Sequence, residues 1–155
     1  MALRRPARLA GFTYTGFYRY SLRFATHRRA RFFEDGVNVE QAAEQIRRTA
    51  DEEQFAILAY CFMPDHLHLV LEGIAPTSDL RRFVRIAKQR VAYAFRRTRG
   101  IPLTWQEGYY DRVLRSDEAT DTVVRYVLDN PVRGGLVTQA EDYAFSGAMF
   151  WPEHF

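Results

Sequence analysis

The sharpest chemical feature of the sequence is His66-Leu67-His68, inside the apolar run that ends at Leu71. In a strand, side chains alternate with a period of two. Both imidazoles then project from one face with Val70, while Leu67, Leu69 and Leu71 take the other and supply a core. Two neighbouring imidazoles on one face can share a metal ion; the same pattern also suits half-buried histidines with ordinary hydrogen bonds. The second feature is Tyr126 and Asn130 in YVLDN. A spacing of four sets them one helical turn apart and about 40° apart around the axis. The core stripe of that helix is Thr120, Val123, Val124, Val127 and Leu128, which leaves Tyr126 and Asn130 on its flank near Val123. A flank position can reach a neighbouring site while the helix stays docked. The alternative is that Tyr126 is one of nine tyrosines covering the core edge, with Asn130 ending a helix before Pro131.

Weaker candidates surround these. Cys61 can join the histidines in a zinc site or serve as a small core residue. Tyr109 and Tyr110 are rival nucleophiles, and Asp111 and Glu72 can orient a histidine or a substrate proton. Arg81, Arg85, Lys88, Arg96 and Arg99 recur at three- and four-residue steps along one helix side. With the arginines of the N-terminal arm they can track a phosphate backbone, or they can form a solvated polar face.

The elements that must position these residues are readable from pattern. Phe17–Ala25 alternates as a strand. Asn38 can cap a helix from Val39 to about Glu52, with Val39, Ala42, Ala43 and Ile46 as its stripe. Phe55–Phe62 and His66–Leu71 form a hairpin about Met63-Pro64-Asp65. A long helix runs from Asp79 to Arg99 with Leu80, Phe83, Ala87, Val91 and Ala94 or Phe95 inward, and Gly100 and Pro102 close it. Trp105–Leu114 is a fourth strand, weakened by Gly108, and Ser116 caps a last helix that stops at Pro131. The β-α-β-β-α-β-α order predicts an α+β fold: a ferredoxin-like antiparallel sheet with helices on one face. One domain accounts for all 155 residues, with a basic arm over 1–14 and an aromatic tail over 134–155 that packs back on the core.

Composition narrows the class. Aromatics reach 15%, which excludes disorder as the main state, and the longest apolar run falls far short of the roughly 20 residues of a bilayer helix. One cysteine excludes an internal disulfide framework, and no secretory signal is readable. Both fit a soluble cytoplasmic protein. The net charge of +3 conceals strong segregation: residues 1–33 carry +8, 34–77 carry −7, 78–100 carry +7 and 101–155 carry −5. Arginine is 21 of the 22 basic residues. It grips phosphate bidentately and stacks on bases, so two basic blocks of this kind suggest a polyanion-binding surface.

Four stretches, taken together, resemble the single-tyrosine HUH transposases, and within them the REP-associated tyrosine transposases. They are CFMPDHLHLVLEG (Cys61–Gly73), LRRFVRIAKQRVAYAFRR (Leu80–Arg97), WQEGYYDRVLRSDE (Trp105–Glu118) and YVLDNPVRGGLV (Tyr126–Val137). The opening YTGFYRYSLRFATHRRARFF is similar to the family's first strand and the loop after it, so the likeness spans nearly the whole chain in the family's order. The resemblance implies the HUH nuclease fold. It also implies that His66 and His68 match the pair that binds a divalent ion, Tyr126 the nucleophile, and Asn130 the position that completes the metal site. Mg²⁺ or Mn²⁺ is the implied ion, and single-stranded, hairpin-forming repeat DNA the implied partner. The implied activity is that of a transposase: an endonuclease and strand transferase passing through a 5′-phosphotyrosine link. Relatives act as monomers or homodimers. The competing expectations are an inactive hairpin DNA- or RNA-binding module of the same fold, and a phosphodiesterase of another class.

Overall fold

The computed structural model describes residues 11–148. Positions 1–10 of the expected arm and 149–155 of the expected tail lie outside the described residues. Five antiparallel strands, β1 (Arg19–Ala25), β2 (Phe55–Met63), β3 (His66–Gly73), β4 (Tyr110–Leu114) and β5 (Ser146–Ala148), form one sheet in the order β4-β1-β3-β2-β5. The helices are α1 (Gly36–Glu53), α2 (Leu80–Arg99), α3 (Asp117–Leu128) and the short α4 (Asn130–Arg133). The α+β architecture expected from the sequence is therefore present.

Helices cover both faces of this sheet rather than one. On the first face, Leu67, Leu69 and Leu71 of β3 join Tyr20, Leu22 and Phe24 of β1 beneath Val39, Ala42 and Ile46 of α1 and Phe83, Ala87 and Val91 of α2. On the second, Val123, Val124 and Val127 of α3 pack on Leu58, Ala59, Cys61 and Met63 of β2 and on Val70 and Leu114. The reason is that β2 is apolar on both sides, as a central strand covered twice must be, while β3 adds only Val70 to the second cluster and otherwise presents its histidines there. An irregularity between Ile57 and Ala59 assists, because Leu58 and Ala59 both join the α3 cluster, as a bulge allows. Beyond it the register sets Cys61 opposite His68 and Met63 opposite His66.

Several element boundaries differ from the sequence expectation for local reasons. Asp35, not Asn38, caps α1: its carboxylate accepts from Val37 N at 2.9 Å, while Asn38 is buried inside the helix and donates from Nδ2 to Phe32 O. β1 begins at Arg19, beyond the bend at Gly16, and Trp105 makes only an isolated bridge with Thr26 before β4 begins at Tyr110. Asp79 and Ser116 cap α2 and α3, and Gly100 closes α2 in the left-handed conformation. α3 ends at Leu128, and Asn130 opens α4 instead of closing α3; a proline is acceptable in a first turn. The described part of the tail does return to the core, where β5 pairs with β2 and Tyr143 donates to Phe62 O. Gly73 is required where the chain closes on itself, since a Cβ there would lie 2.0 Å from Gly16 O.

Candidate active site

The strand alternation puts His66 and His68 on the α3 face, their ring centroids 5.0 Å apart. His68 is only 9% exposed, and burial pushes its pKa down to about 3, helped by His66, Arg23 and Arg133. Burial also lowers that of His66, opposed by its bond with Asp65. Both rings are thereby held neutral, the form that offers a lone pair to a cation. Asp65 Oδ1 stands 2.6 Å from His66 Nδ1, so that nitrogen carries the proton and Nε2 keeps its lone pair.

The loop after β1 holds this turn. Thr26 N and Oγ1 both donate to Asp65 O, and Phe33 N donates to Pro64 O at 3.0 Å. Arg28 and Arg29 follow in the left-handed region, at φ 53° and 55°, and Arg29 Nε lies 3.8 Å from Asp65 Oδ2. Two consecutive non-glycine residues there are costly and persist only where their surroundings fix them.

Tyr126 comes to the same face because α3 docks through Val123, Val124 and Val127, leaving the tyrosine 58% exposed. It borders a hollow of about 390 Å³ together with His68, Arg23, Tyr110, Arg112 and Thr122. Arg23 sits between His68 and Tyr110 in the strand register, its guanidinium 5.9 Å from the Tyr110 ring. Two tyrosines, one imidazole and two guanidinium groups thus share an open space that suits an anionic substrate.

Asn130 is half-buried at the start of α4. Its Oδ1 accepts from Arg133 at 3.3 Å, and its buried Nδ2 has no partner. Among the described residues no three His, Cys, Asp or Glu side chains converge on a cation site, so the histidine pair needs a ligand of another type. The Asn130 carboxamide oxygen is of that type, with a lone pair left beside its bond from Arg133, whereas the unpartnered Nδ2 is a donor. The donor set of two neutral imidazoles and an amide fits a divalent cation with open positions. Cys61 does not extend it: the thiol is fully buried in the α3 cluster and pushed up to about 12, which disfavours the thiolate.

The remaining sequence candidates separate by face. Glu72 pairs with Arg19 at 3.5 Å. Asp111 lies opposite Leu22 in the register and Tyr109 packs on the first core, so both are on the far side of the sheet from the histidines, whereas Tyr110 lines the hollow. The basic residues of α2 also ride on that far layer. Arg81 lies over the Tyr14 ring, Arg99 pairs with Asp35, and Arg85 and Arg96 are exposed. Lys88 Nζ donates to Gln106 O at 3.1 Å and Gly108 O at 2.6 Å, pinning the loop before β4. The structure adds Asp65, Arg23, Arg112 and Arg133 to the site. Asp65 was legible from its place beside His66, but its turn chemistry explained it already.

The chain belongs to the transposase IS200-like family, whose sequence model matches residues 17–130, from just before β1 through Asn130. It is 26% identical over 101 residues to a REP-associated tyrosine transposase of Escherichia coli strain K12, covering 65% of this chain and 59% of that protein. It is 25% identical over 151 residues to a Haemophilus influenzae protein that carries the same name provisionally, covering 87% and 81%. Among solved structures, the fold matches that of a REP-associated tyrosine transposase bound to a REP hairpin. The TM-score is 0.76 at 20% identity, over 91% of this chain and 82% of that one. No helix among the described residues is long and apolar enough to cross a membrane.

Proposed function

We propose that this chain cleaves and rejoins single-stranded, hairpin-forming repeat DNA through a covalent link to Tyr126. The observation that carries the reading is the hollow shared by the exposed Tyr126 and the neutral His68, flanked by Arg23 and Arg112. Membership of a transposase family, relatives named for REP elements and a solved structure of the same fold bound to a REP hairpin support the substrate class.

Arg23 and Arg112 hold the phosphodiester, and α3 presents the phenol to it from a docked base. The Tyr126 oxygen forms a bond to phosphorus as the bond to the 3′-oxygen breaks. The phenol gives up its proton, and the leaving oxygen takes one to become a 3′-hydroxyl, leaving a 5′-phosphotyrosine. Phenoxide, with a parent pKa near 10, leaves more readily than an alkoxide, so another 3′-hydroxyl can reverse the step. A Mg²⁺ or Mn²⁺ ion held by His66, His68 and Asn130 would neutralise charge developing on a non-bridging oxygen. The two histidines, held neutral and oriented, do not act as bases. Arg81, Arg85 and Arg96 track the phosphate backbone of the hairpin from the α2 face, with Lys88 fixed beside them. The protein acts in the cytoplasm as a monomer or homodimer.

The test is cleavage of labelled single-stranded hairpins in Mn²⁺ or EDTA by the wild type and by His68→Ala. Cleavage confined to the wild type with metal is expected. Hairpin binding without cleavage by the wild type in Mn²⁺ would favour a non-catalytic binding module, and full cleavage by His68→Ala would refute the metal site.

A further inference from the structure

We propose that Arg133 is a positioning residue that fixes the Tyr126 ring and the Asn130 carboxamide together, so that nucleophile and third ligand are set by one side chain. This rests on the roles proposed above for those two residues. The guanidinium carbon lies 3.7 Å from the centroid of the Tyr126 ring. The same group donates through Nη2 to Tyr126 O at 2.9 Å and to Asn130 Oδ1 at 3.3 Å, and through Nη1 to Asp129 Oδ2 at 3.5 Å.

The arrangement follows from the break between α3 and α4. A helix end releases carbonyls that need donors, and Tyr126 lies in the last turn of α3, which ends at Leu128. Arg133, one turn into the next segment, takes the Tyr126 carbonyl. With the backbone bond fixing the guanidinium, its plane is carried over the ring of the same residue. Tyr126 is exposed, and an unrestrained exposed side chain samples several rotamers. The cation on its π-face restrains the ring without engaging the hydroxyl edge. On Asn130, a donor against Oδ1 determines which amide atom faces which way and leaves a second lone pair on the oxygen. Lysine cannot reproduce this, because it has neither the planar face nor the fork of donors.

The test incorporates 3-fluorotyrosine at position 126 and compares wild type, Arg133→Ala and Arg133→Lys, each checked for folding by circular dichroism. In the DNA-free, metal-free protein the ¹⁹F resonance is expected to move toward the value of a free side chain in both variants. Mn²⁺ affinity by electron paramagnetic resonance and kcat on a hairpin are both expected to fall about tenfold or more, while hairpin Kd changes less than about twofold. An unmoved ¹⁹F resonance would overturn the proposal. A loss seen only in hairpin affinity would overturn it too, making Arg133 a phosphate contact. The ¹⁹F spectrum reads the coupling whether or not the protein cuts DNA. Failure of wild-type cleavage would therefore count against the proposed function alone.

Discussion

Asp65 Oδ1 and His66 Nδ1 are 2.6 Å apart, although the two residues are adjacent in the chain and only His66 belongs to β3. The turn makes this possible: Asp65 sits in the two-residue connection between β2 and β3, and its own carbonyl is gripped by Thr26. A carboxylate on Nδ1 sets the tautomer of the ring and turns Nε2 outward, as oriented metal-binding histidines require.

Asp65→Ala is therefore expected to weaken Mn²⁺ binding by about 10–100-fold, with Asp65→Asn closer to wild type because an acceptor remains. The fold should survive, since the bonds that Thr26 makes to residue 65 are to its main chain. Isothermal titration with Mn²⁺ and the ¹⁵N shifts of His66 measure this. Wild-type affinity in Asp65→Ala would show that the ring needs no partner.

The basic residues on the two sides of the sheet have different expected effects. Arg85 and Arg96 are exposed on α2, and replacing both by alanine should lower the slope of log affinity against log salt by about two, with cleavage of bound DNA retained. Arg23→Ala, beside His68, should instead slow cleavage of bound hairpin. Lys88→Ala should lower the melting temperature, because the ammonium pins the Gln106 and Gly108 carbonyls. Binding across a salt series with single-turnover cleavage distinguishes these, and an unchanged slope in the double variant would remove the α2 face from the backbone contact.

The described tail carries a pH dependence. Burial raises the Tyr143 phenol to about 12, and in the protonated state it donates to Phe62 O. Unfolded, it titrates near 10. Its contribution to stability is present below pH 10 and is lost as the pH rises toward 12, because the unfolded chain releases that proton first. Chemical denaturation from pH 8 to 11.5 should show stability falling above 10, with a shallower fall in Tyr143→Phe. Equal slopes in the two proteins would show that Tyr143 is not the group responsible.

The parts of this molecule written in local pattern were legible beforehand. The 66–68–70 alternation, the Pro64-Asp65 turn and the buried stripe of α2 all follow from spacing alone. What escaped depends on pairing. α3 takes the second face because β2 is apolar on both sides, and only the sheet order reveals that α1 and α2 already occupy the first. Arg23 enters the site through its register with His68, seen in no single strand. Arg133 enters it because α3 breaks at Asp129, where a continuous helix to Asn130 was the simpler reading. Asp35 displaced Asn38 as a cap because two good capping residues stood three apart and the sequence does not rank them.

The most direct test of the central claim is to look for a protein–DNA adduct. Labelled single-stranded repeat hairpins are incubated with the protein and Mn²⁺, denatured, and the adduct is digested and mapped by mass spectrometry, beside Tyr126→Phe. The account predicts a phosphodinucleotide or longer remnant on Tyr126, with no adduct in the variant and undiminished hairpin binding. An adduct on Tyr110, which lines the same hollow, or cleavage that persists in Tyr126→Phe, would contradict it.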